Sequence, residues 1–166
     1  MKKEGLYEDT AILVFGDHNG LNMYNEEMVD FLKSLNPDIT DVELKLNYTK
    51  VACGFKIPGI TNIEIDKPVS KLDIKPTLAY LCNIEDGFSL GTNMFASKTF
   101  VSLNNERIIS YKYYYDGEWY ERQTGQMINL EEQDEDTKKL LENYYQNMKR
   151  ELEISNSISV NNLLNK

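Results

Sequence analysis

The chain has 166 residues, 41% of them hydrophobic, enough for one domain with a real core. No apolar run approaches the length of a membrane span, and Met1-Lys-Lys-Glu-Gly does not read as a secretory signal. A net charge of −9 and a pI near 4.7 argue against nucleic acid as a partner, since phosphate backbones need clustered Lys and Arg, but suit divalent cations.

In chain order, Lys2 to Asp9 reads as the end of a short helix and a turn. Ala11-Ile-Leu-Val-Phe15 follows, five apolar residues that read as a buried central strand of a parallel sheet. Gly16-Asp-His-Asn-Gly20 cannot continue that strand. It therefore places Asp17 and His18 at the strand's carboxyl end, where open α/β sheets bind ligands. A carboxylate beside an imidazole suits Mn²⁺ or Zn²⁺. The plain alternative is a turn in which Asp17 caps the next helix. Two features favour the metal: His18 is the chain's one histidine, and the flanking glycines leave room for a ligand near the backbone.

Met28, Phe31, Leu32 and Leu35 recur at helical spacing, with Asn25 as N-cap and Asn36-Pro37 as the stop. Asp38 to Tyr48 is mixed and acidic, with room for a turn of helix. Lys50 to Ile57 reads as a second strand, stopped by Pro58-Gly59. Ser70 to Cys82 reads as a helix with Asp73 as N-cap and Leu78, Leu81 and Cys82 on its inner face. Cys53 and Cys82, the two cysteines, sit in apolar settings without metal-type spacing and read as small core residues.

Thr99–Leu103, Arg107–Tyr115 and Glu118–Arg122 read as three antiparallel strands, turned at Asn104-Asn105-Glu106 and Asp116-Gly117. Tyr111, Tyr113, Tyr114, Tyr115, Trp119 and Tyr120 fill them. Packing against a helix is the favoured use of these rings, and a platform for a sugar or glycerol-phosphate chain is the alternative. Leu130 to Ile154 supplies the helix, with Leu140, Tyr144, Met148 and Leu152 on one face, Leu141 and Tyr145 beside them, and an acidic start at 131–136. Val160, Leu163 and Leu164 read as a short docking tail. Character changes near Lys98, so residues 1–97 and 98–166 form two parts of one structural unit.

Glu4-Gly-Leu-Tyr-Glu-Asp-Thr-Ala-Ile-Leu-Val-Phe-Gly-Asp-His-Asn-Gly20 resembles the late metal-binding motif of the sulfatase and alkaline-phosphatase superfamily. It is nearest to the lipoteichoic acid synthases and related phosphoglycerol transferases. Asp73-x-x-Pro-Thr-Leu78, the loop Gly91-Thr-Asn-Met-Phe95 and the order of the Tyr-rich hairpins extend the resemblance over nearly the whole chain. Val51-Ala52 stands where the family often has Val-Pro, and Met1 falls where the family's helix is already under way. The resemblance implies an α/β fold: 1–97 as the C-terminal part of a sulfatase-like core, then a small antiparallel sheet packed on a C-terminal helix.

It also implies that Asp17 and His18 are metal ligands, with Mn²⁺ first and Zn²⁺, Ca²⁺ or Mg²⁺ as alternatives. In such enzymes a metal-activated Thr, Ser or modified Cys attacks a phosphate or sulfate ester. That nucleophile and an early-strand carboxylate lie upstream in the family, so no catalytic residue is assigned here and the isolated chain is expected to be inactive. The implied partners are the missing N-terminal half of the catalytic domain and phosphatidylglycerol or another anionic glycerolipid or polymer. The parent enzyme would be membrane-anchored with an extracellular catalytic domain. Read literally, the start at Met1 implies either a cytoplasmic product or an incomplete one. A sulfatase or phosphatase fragment is the close alternative. A non-catalytic module binding through the Tyr-rich sheet is the distant one. Strands left unpaired would favour self-association.

Overall fold

A computed structural model describes residues 1–23, 25–60, 63–103 and 105–161, and helices and antiparallel sheets are mixed along it. These residues form two compact units, Met1–Glu64 and Ile65–Lys166. No helix among the described residues is long and apolar enough to cross a membrane.

The first unit is built on two short strands, β1 (Ile12–Phe15) and β2 (Cys53–Lys56). They pair antiparallel, Ile12 opposite Lys56 and Phe15 opposite Cys53. The expected parallel central strand is therefore corrected: among the described residues β1 has one ladder neighbour, and it runs the opposite way. An apolar run predicts burial, but Val14 is 67% exposed and Phe15 45%. A two-stranded ribbon has too little surface to cover its own faces. The same lack of cover leaves Cys53 exposed, against the expectation of a core cysteine. Lys2 to Asp9 forms turns rather than a helix end, because Gly5 at φ +71° turns the backbone left-handed after one loop.

Helix α1 (Glu26–Leu35) starts as expected, with Asn25 Oδ1 accepting from Met28 N at 3.1 Å. Leu32 is buried, whereas Phe31 and Leu35 stay exposed. Helix α2 (Asp41–Tyr48) is a full two turns where one was foreseen, and it buries Val42, Leu44 and Leu46. Its sequence signal is Thr40-x-x-Glu43, a capping box.

Glu43 accepts from the Thr40 backbone N–H at 2.8 Å and from its hydroxyl at 2.9 Å, which holds its carboxyl below the ordinary 4.5. Because the folded value is the lowered one, this support is complete above pH 4.5. It is lost as pH falls through the folded value. Protection of the Thr40 amide, measured against its intrinsic exchange rate at each pH, should fall over that acid range in the native chain. In Glu43→Gln, which keeps a capping acceptor without a proton to gain, it should not.

The second unit opens with a 3₁₀ turn, Lys71–Asp73, running into α3 (Ile74–Leu81). Asp73 stands at the N-cap position of α3, as the sequence suggested, but its side chain makes no cap bond there. Its carboxylate instead reaches back to Ser70, the N-cap of the 3₁₀ turn, and accepts from Ser70 N at 2.8 Å. Its other oxygen accepts from Thr92 N at 2.8 Å, and Thr77 Oγ1 accepts from Met94 N at 2.9 Å. The buried face of α3 is thus Pro76 and Thr77, continuing from Asp73 of the 3₁₀ turn and lying one step around from the predicted Leu78, Leu81 and Cys82. The buried polar pair grips the Gly91–Phe95 loop, and that rotates the helix. Cys82, at the C-cap beyond that face, is exposed.

Four strands follow, in the order β3 (Phe100–Leu103), β4 (Arg107–Ser110), β5 (Tyr113–Asp116) and β6 (Glu118–Glu121), all antiparallel. The sequence promised three. Arg107–Tyr115 is broken at Tyr111-Lys112, where the Ser110 hydroxyl accepts from Tyr113 N at 2.9 Å and donates to Tyr113 O at 3.0 Å. Asp116-Gly117 turns the chain as expected, with Gly117 at φ +80°. Part of the other predicted turn, Asn104, lies outside the described residues.

The final helix, α4 (Glu135–Asn161), lays Leu141, Tyr144 and Met148 on Ile108, Tyr113 and Trp119. This is the small antiparallel sheet packed on a C-terminal helix that was expected. Leu140 is partly exposed and Leu141 takes its place against the sheet. The helix begins at Glu135, where Asp134 accepts from Thr137 N at 2.7 Å. Leu163 and Leu164 of the proposed tail lie outside the described residues. Burying each large core side chain contributes about 1.5–3 kcal/mol.

Candidate functional site

β1 runs out at Phe15, and the loop after it is pressed against the segment 48–52. Gly16 N donates to Ala52 O at 3.0 Å, and Leu21 N to Tyr48 O at 2.8 Å. A Cβ on Gly20 would fall 2.6 Å from Lys50 O and 2.8 Å from Tyr48 O, and one on Gly16 would meet Val51 Cβ at 2.9 Å. The two glycines therefore serve close backbone packing rather than the approach of a ligand. Their effect is to hold the intervening loop at the strand's end and turn Asp17 and His18 outward.

Asp17 Oδ1 and His18 Nδ1 are 3.0 Å apart, with the side chains 82% and 90% exposed. The structure thus brings the two sequence-predicted ligands together at the strand end. Donor atoms so spaced are placed like neighbouring ligands of one small divalent cation, whose bonds to them run at about 2.0–2.2 Å. They would make two ligands of a set that normally numbers four or more. Among the described residues no group of three or more His, Cys, Asp or Glu side chains is placed to hold a metal. At this distance the carboxylate and the imidazole also pair with each other.

The other residues singled out in the sequence lie elsewhere and do different work. Asp73 is 3% exposed and spends both oxygens on backbone N–H groups, which is structural service rather than acid catalysis. Tyr113, Tyr114 and Trp119 are buried, so these rings pack rather than present a platform. Burial holds the Tyr114 phenol well above its usual range, beside the Asp116 carboxylate that Arg107 Nε contacts at 2.8 Å. Tyr115 meets Trp119 at 5.0 Å and Tyr145 edge-on at 5.4 Å between ring centroids. Tyr111 is the exposed ring of the set, its hydroxyl 3.4 Å from Asp66 Oδ1.

No family model matches the chain. It is 32% identical over 143 residues to "Lipoteichoic acid synthase-like YvgJ" of Bacillus subtilis (strain 168), covering 81% of this chain and 22% of that protein. It is 26% identical over 170 residues to "Lipoteichoic acid synthase 2" of the same organism, covering 99% of this chain and 25% of that protein. "Lipoteichoic acid synthase" of Staphylococcus aureus (strain NCTC 8325 / PS 47) is 26% identical over 164 residues, 95% of this chain and 24% of that protein. The chain spans about a quarter of the length of these curated relatives. Its sequence is lipoteichoic acid synthase-like, matching the C-terminal part of such proteins.

Proposed function

We propose that this chain is the C-terminal portion of a metal-dependent phosphoglycerol transferase of the lipoteichoic acid synthase kind, in which Asp17 and His18 give two ligands to a divalent cation. The observation that carries this reading is the pairing of Asp17 Oδ1 and His18 Nδ1, 3.0 Å apart on an outward-facing loop at the end of β1. A hard oxygen and a borderline nitrogen suit Mn²⁺, with Zn²⁺, Ca²⁺ and Mg²⁺ as competitors. When bound, the cation would lower the pKa of a hydroxyl nucleophile and offset charge on the transferred phosphoryl group. Asp17 and His18 would hold and orient it, and Gly16 and Gly20 would keep their loop in place.

The nucleophile and the remaining ligands belong to the partner in this reading, the N-terminal half of the catalytic domain. The substrate is phosphatidylglycerol or another anionic glycerolipid or polymer, and the whole enzyme is membrane-anchored and faces outward. The division of the chain at residues 97 and 98 into core and appended sheet belongs to the same proposal. Exposed Val14 and Phe15 support self-association when the chain is alone.

The purified chain with Mn²⁺ is expected to release no aryl alcohol from an aryl phosphate and to transfer no phosphoglycerol from phosphatidylglycerol. Turnover by the chain that disappears in Asp17→Ala would overturn the assignment of catalysis to a partner segment.

A further inference from the structure

Lys56 ends β2, opposite Ile12 at the start of β1. Its Nζ donates to three main-chain carbonyls of one short turn: Tyr7, Glu8 at 3.0 Å and Thr10 at 3.1 Å. It also stands 4.6 Å from the centroid of the Tyr7 ring. An ammonium has three N–H donors, so three carbonyls satisfy it completely. The turn is closed on itself, with Thr10 Oγ1 donating to Leu6 O at 2.6 Å, so its carbonyls are held converging. Carbonyl oxygens gathered on one point, with an aromatic face beside them, are what a partly desolvated monovalent cation requires.

We infer that the turn Tyr7–Thr10 is a binding site for a primary ammonium or monovalent cation, with Lys56 as its tethered occupant. The tether locks the register of β1 on β2. Each strand has only four residues, and a ribbon of two such strands is marginal by itself. A slip of two residues would keep the pleat and carry the end of β1 about 7 Å along its neighbour. Lys56 resists that slip at one end of the ladder, and the Gly16–Ala52 hydrogen bond resists it at the other. In this role Lys56 is a positioning residue for the Asp17–His18 loop, a consequence that rests on the metal-ligand reading above. The cation site itself does not.

The test is amide hydrogen exchange across Ile12–Phe15. It is run in a Lys2→Ala background, because Lys2 Nζ lies 4.7 Å from the same ring and would otherwise substitute. Lys56→Met keeps the aliphatic stem and loses the cation; exchange should quicken about tenfold. Lys56→Ala should behave likewise, and ethylammonium chloride should restore protection where tetramethylammonium chloride, which has no N–H to donate, does not. If Lys56→Ala leaves the strand amides too fast to read, their reappearance with ethylammonium carries the same test. Fluorescence of Trp119, in the other unit, reports that the rest of the chain stays folded. Unchanged protection in Lys56→Met overturns the proposal. So does loss of protection that ethylammonium restores no better than tetramethylammonium, since that assigns the effect to packing of the stem.

Discussion

Met148→Ala is expected to lower the unfolding free energy of the second unit by about 3 kcal/mol, within the 2–5 kcal/mol range for such truncations. Met148 is wholly buried and lies among Ile108, Tyr113, Trp119, Leu141 and Tyr144, where sheet and helix meet. Removing its thioether leaves a cavity that neither layer can close, because Glu151 of α4 is also tied to Ser102 Oγ of β3 and to Lys98 just before that strand. A domain of this size is stable by only about 5–15 kcal/mol, so the loss is large. Trp119 sits in the same core, so its fluorescence in a urea titration reads the change as a lower midpoint. Leu140→Ala, one residue from Leu141 but on the exposed side, should move the midpoint little. Equal effects at Met148 and Leu140 would mean that α4 does not present this face.

Gly91→Ala should be comparably damaging, at about 3 kcal/mol, the upper part of the range for overpacking. A Cβ there would lie 2.0 Å from Leu72 O and 2.2 Å from Leu72 C, both backbone atoms that cannot swing aside. The loop cannot retreat either, since Thr92 N and Met94 N are bonded to Asp73 and Thr77. Freeing those buried groups costs about 1–3 kcal/mol each. Gly54→Ala is the contrast. A Cβ at Gly54 meets nothing within 4 Å, and its change should be a few tenths of a kcal/mol. Parallel thermal melts of the two variants read the difference, and a Gly91→Ala protein as stable as Gly54→Ala would contradict the tight approach.

The sequence was legible where local chemistry acts alone. Asn25 and the Asp116-Gly117 turn are found as read, and Asp17 and His18 do leave β1 together. The Tyr-rich strands do pack on a helix. It misled where a partner decides the outcome. The apolar run of β1 reads as buried, but burial needs cover over the faces of the sheet, and the two-stranded ribbon seen among the described residues leaves Val14 and Phe15 in solvent. The split at Tyr111-Lys112 carries no Gly, Pro, Asn or Asp, so nothing in the residues announced it; the Ser110 hydroxyl makes the turn. Thr40-x-x-Glu43 was a readable capping box that outweighs the mixed character of the helix it opens. For the candidate site, the residues could be named from the sequence. The close packing of Gly16 and Gly20 on segment 48–52 could not, because it joins stretches some thirty residues apart.

The measurement that tests the central claim most directly is a Mn²⁺ titration followed by proton NMR of the imidazole. His18 is the chain's one histidine, so its ring signals need no further assignment. The account predicts weak, saturable paramagnetic broadening of the His18 ring at low Mn²⁺, reversed by chelator and much reduced in Asp17→Ala. Broadening that instead centres on the acidic 131–136 run, with the His18 ring sharp throughout, would contradict the assignment of Asp17 and His18 as metal ligands.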